Sequence, residues 1–86
     1  MYAQVFELLG AERGEHLNRS IYSELLPALR TEHGFCGALS LVRRERGELL
    51  LLVLWETEDE AAGPLPPRLA ALTGGTPEVW EVGARA

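Results

Sequence analysis

From Leu49 to Trp55 seven apolar residues follow one another without a break, Leu-Leu-Leu-Leu-Val-Leu-Trp. A strand with one wet face alternates apolar and polar side chains, so an unbroken run predicts a strand covered on both faces. A chain of 86 residues has little material for covering both faces of a sheet by itself. The run therefore points toward a second copy or a ligand as part of the cover.

Around it the apolar spacing changes period. Tyr2 to Leu9, rich in β-favouring Tyr, Val and Phe, predicts a first strand ending near Gly10. From about Glu12 to Leu26 the period lengthens. Leu17, Ile21, Leu25 and Leu29 recur every four residues, which is one face of a helix, with Tyr22 and Leu26 beside them. Pro27 lacks a backbone donor and predicts a kink or a separate last turn. Gly34 supplies a left-handed stop after His33.

Cys36 to Arg43 and Glu48 to Glu56 predict a hairpin joined through Arg44-Glu45-Arg46-Gly47, with the glycine where a positive φ is needed. Its parity separates two faces. Leu39 and Leu41 share one with Leu50, Leu52 and Leu54. Ala38, Ser40 and Val42 share the other with Leu49, Leu51, Val53 and Trp55. The bulky aliphatic face suits helices; the mixed face suits a partner sheet or a cavity.

Thr57-Glu58-Asp59-Glu60 is a capping box that opens a second helix, soon interrupted by Gly63-Pro64-Leu65-Pro66-Pro67. A short helical piece, about Pro67 to Leu72, and a last strand, Glu78 to Val82, complete the pattern. The order is β-α-β-β-α-β in one domain, residues 1–86. It predicts an α+β, ferredoxin-like fold: a four-stranded antiparallel sheet with helices on one face.

Composition narrows the function classes. The net charge is -5, and the one basic cluster, Arg43-Arg44 and Arg46, is diluted by Glu45 and Glu48, which disfavours nucleic acid. One cysteine, Cys36, leaves no intrachain disulfide and no Cys-based zinc site. The expectation is a cytoplasmic protein with no membrane span, no bound metal and no cofactor.

The segment Leu29-Arg30-Thr31-Glu32-His33-Gly34-Phe35-Cys36-Gly37 carries a Gly-Phe-x-Gly pattern at a helix end. It precedes a strand, a Gly-containing hairpin and Leu52-Val53-Leu54-Trp55-Glu56-Thr57-Glu58-Asp59-Glu60-Ala61. This succession resembles the antibiotic biosynthesis monooxygenase-like domains of the dimeric α+β barrel superfamily. The resemblance implies a homodimer whose two sheets pack face to face into a barrel. Two functional classes are carried, the first favoured because no constellation specific to catalysis is present and the segment after the capping box is short. One is a non-catalytic structural or small-ligand-binding module. The other is a cofactor-independent monooxygenase acting on an aromatic or quinol molecule. Haem-degrading relatives carry an Asn on the first strand, a Trp in the second helix and a later His. Here Glu7 stands at the first position, the segment from Gly63 to Pro67 has no Trp, and no His follows His33.

Each candidate residue carries a structural reading beside its chemical one. Glu7 is a general base if burial raises its pKa, and otherwise a solvent-facing strand residue. Tyr22 can donate into a cavity or belong to the helix's apolar stripe. His33 is a proton-transfer group or an imidazolium at a helix C-terminus, and His16 reads as a surface residue. Trp55 and Trp80 are core or interface anchors, or stacking platforms for a ligand. Arg43 places its stem on the aliphatic face and its charged head in water, where a ligand can meet it. Cys36 reads as a small buried hydrophobe.

Overall fold

A computed structural model describes residues 1–9, 21–63 and 77–85. Strands β1 (Tyr2–Leu9), β2 (Phe35–Arg43), β3 (Glu48–Trp55) and β4 (Glu78–Glu81) form one open sheet in the order β2-β3-β1-β4, with each neighbouring pair antiparallel. Two four-residue helices, α1 (Leu26–Leu29) and α2 (Glu58–Ala61), accompany it, and α1 continues a π-helical turn over Ile21–Leu25. The fold is a small α+β domain. Among the described residues no helix is long and apolar enough to cross a membrane.

The turns follow the local chemistry of the sequence. Pro27 lies where the π turn passes into α1; lacking an N–H it cannot continue the helical hydrogen-bond ladder, and the wider π turn lies just before it. Gly34 has φ of +82° after α1, and Gly47 has φ of +63° behind the single 3-10 turn Arg44–Arg46 of the hairpin. Both positions favour the residue without a Cβ. The capping box is complete at α2: the Thr57 side chain accepts from the Glu60 N–H, and the Glu60 carboxylate accepts from the Thr57 N–H. The helical stretch expected from Glu12 to Ser20, and the piece from Pro67 to Leu72, lie outside the described residues.

Hairpin parity holds. The register pairs Leu39 with Leu52 and Leu41 with Leu50 on one face, and Ala38 with Val53 and Ser40 with Leu51 on the other. The assignment of the faces is reversed from expectation. The core lies on the mixed face, where Phe6, Leu51, Val53 and Trp55 pack with Leu25 and Leu29 of the first helical segment and Ala61 of α2. Small Ala38 and Ser40 on that face leave room for other layers to approach, and Phe35 meets Trp55 edge-on at 6.1 Å between ring centres. The bulky aliphatic face is the open one. Leu39 and Leu41 are 40% and 49% exposed there, while Leu50, Leu52 and Leu54 are half-buried.

One buried polar side chain ties the layers. Gln4, 1% exposed, donates through Nε2 to the Ala61 carbonyl at the end of α2 and accepts through Oε1 from the Trp55 indole N–H at 2.7 Å. Both ends of its amide are engaged, which removes the cost of burying it. Trp55→Phe keeps the ring but leaves the Gln4 oxygen without this donor. Urea denaturation should show a loss of about 1–3 kcal/mol. Leu51→Ala, which opens a cavity in the core, should lose about 2–5 kcal/mol in the same assay.

Candidate functional site

The described polar chemistry gathers where the end of α1 meets the start of α2. Gly34 turns the chain there, and its carbonyl accepts from the Glu56 N–H at 2.9 Å, fixing the loop against the strand-to-helix junction. A Cβ at Gly34 would collide with the Glu60 carboxylate, so only glycine admits that side chain so close. Glu60 Oε2 then lies 2.7 Å from His33 Nδ1. Its Oε1 accepts from the Thr57 N–H at 3.1 Å and the Thr57 hydroxyl at 2.9 Å. The His33 side chain is 97% exposed and that of Glu60 18%.

Charge follows geometry. The hydrogen bond to Glu60, then the Glu60 charge, raise the His33 pKa above its ordinary 6.5, with the Glu56 charge adding to them. The hydrogen bonds from His33 and Thr57 hold Glu60 below its ordinary 4.5. Both shifts favour the charged forms, an imidazolium–carboxylate pair at the rim of the domain. His33 thus finds its partner in the carboxylate of another element rather than in the helix end expected of it. The capping motif singles out Glu60 in the sequence, but its contact with His33 arises only when the Gly34 turn folds back.

The other candidates do not converge on this pair. Glu7 is exposed on the open face opposite Leu50, so nothing within the single chain buries it as a general base requires. The row of Leu50 stands five residues along β3 from Trp55, the end nearest His33, which is roughly 17 Å at strand spacing. Arg43 is exposed at the far end of β2 and lines a shallow hollow of about 170 Å³ with Leu41, Val42, Glu48 and Leu50. Trp55 is enclosed in the core with its N–H committed to Gln4.

Trp80, which shared the anchor expectation with Trp55, is 59% exposed at the sheet edge and donates to Glu78 Oε2 at 2.9 Å. Cys36 is half-buried rather than buried, because the bulge between Phe35 and Gly37 lifts it from the regular ladder, and its Sγ donates to the Gly34 carbonyl at 3.3 Å. The backbone of Tyr22 belongs to the π-helical turn, but its side chain lies outside the described residues, as does all of His16. Neither protein-family models nor curated proteins match this chain.

The His33–Glu60 pair makes stability depend on pH in two directions. The raised His33 pKa contributes fully below about pH 6.5 and is lost as pH rises through its folded value. The lowered Glu60 pKa contributes above about pH 4.5 and is lost as pH falls through its folded value. Melting curves should place this contribution at its greatest between those limits. His33→Gln should flatten the fall in Tm on the alkaline side. Gly34→Ala, which strains the turn and displaces Glu60, should cost more than about 1 kcal/mol and remove the same pH dependence.

Proposed function

We propose that this chain is a non-catalytic, homodimeric domain of the ferredoxin-like, dimeric α+β barrel type, acting as a structural or small-ligand-binding module. The observation that carries the reading is the apolar sheet face opposite the core, with Leu39 and Leu41 exposed on it. Among the described residues no helix lies on that face. Three strands of eight or nine residues and a fourth of four present a face of roughly 450 Å². Two such faces bury on the order of 900 Å² when they meet, near the lower bound for a biological interface. The strand order β2-β3-β1-β4 supports the ferredoxin-like plan.

The dispersal of the candidates supports a non-catalytic role. A monooxygenase acting on a quinol needs its proton-transfer groups around one substrate. Here Glu7 stands on the open face near the hairpin, and His33 lies at the opposite end on an exposed loop. Shared fold architecture by itself supplies no chemistry.

Light scattering at micromolar concentration should return about twice the 9.5 kDa chain mass. Leu52→Glu, which places a charge at the centre of the open face, should return the mass of one chain with its far-UV spectrum intact. A monomeric native protein overturns the homodimer. Oxygen uptake with a panel of aromatic quinols should stay at the uncatalysed rate, and turnover would overturn the non-catalytic role.

A further inference from the structure

We draw no further inference here: the strongest candidate, the shallow hollow at the hairpin end of the open sheet face beside Leu41, Arg43, Glu48 and Leu50, belongs to the apolar face already described, and nothing in the structure shows what covers it.

Discussion

Gln4 is the point on which the layers of this domain depend. Its amide stands on the central strand β1, receives the Trp55 indole N–H from β3, and gives its own N–H to the last turn of α2. A buried amide without partners costs more than a single hydrogen bond returns, so the polar group tolerates only the arrangement that satisfies both of its ends. That arrangement places Trp55 inward and α2 above it. Phe6, Leu51 and Val53, which share the face, are thereby committed to the same core.

Once the core occupies that face, the other is left with the leucines. The consequence is a sheet with two apolar surfaces of different character. The inner one combines aromatic, small and amide side chains fitted around helical segments; the outer one is a field of aliphatic side chains beside Ala3 and Val5. The proposed homodimer rests on this outer surface, where Leu39 and Leu41 are exposed. Polar groups lie at its margins, with Arg43 and Glu48 at the hairpin and Glu78 beside Trp80. The His33–Glu60 pair belongs to a different part of the molecule, where it fastens the loop after α1 to the start of α2. Its position makes it a brace between elements rather than a part of the open face.

Local signals in the chain foretell much of this. Strand β1 runs from Tyr2 to Leu9 as the β-favouring residues indicate, and the other strands differ from expectation by a residue at one end. Gly34, Gly47 and the Thr57–Glu60 box do what their chemistry prescribes, because each depends only on residues a few positions away. The contacts that escape such a reading are those between distant residues. Nothing near Gln4 announces that it pairs with Trp55, 51 positions on, and nothing near His33 announces Glu60, 27 positions on. Trp80 and Trp55 look alike in sequence, yet one strand lies at the sheet edge and the other within it, so one ring is exposed and the other enclosed.

The sequence by itself determined that Leu49 to Trp55 forms a strand apolar on both faces, and which side chains share each face. Alternation along a strand is a property of the backbone, and hairpin parity follows from it. Only the tertiary structure decided which face is the core. Bulk and hydrophobicity pointed the leucines toward the helices, but the choice lay with a buried amide, an indole donor and a helix-end carbonyl, three groups that meet only after the chain has folded.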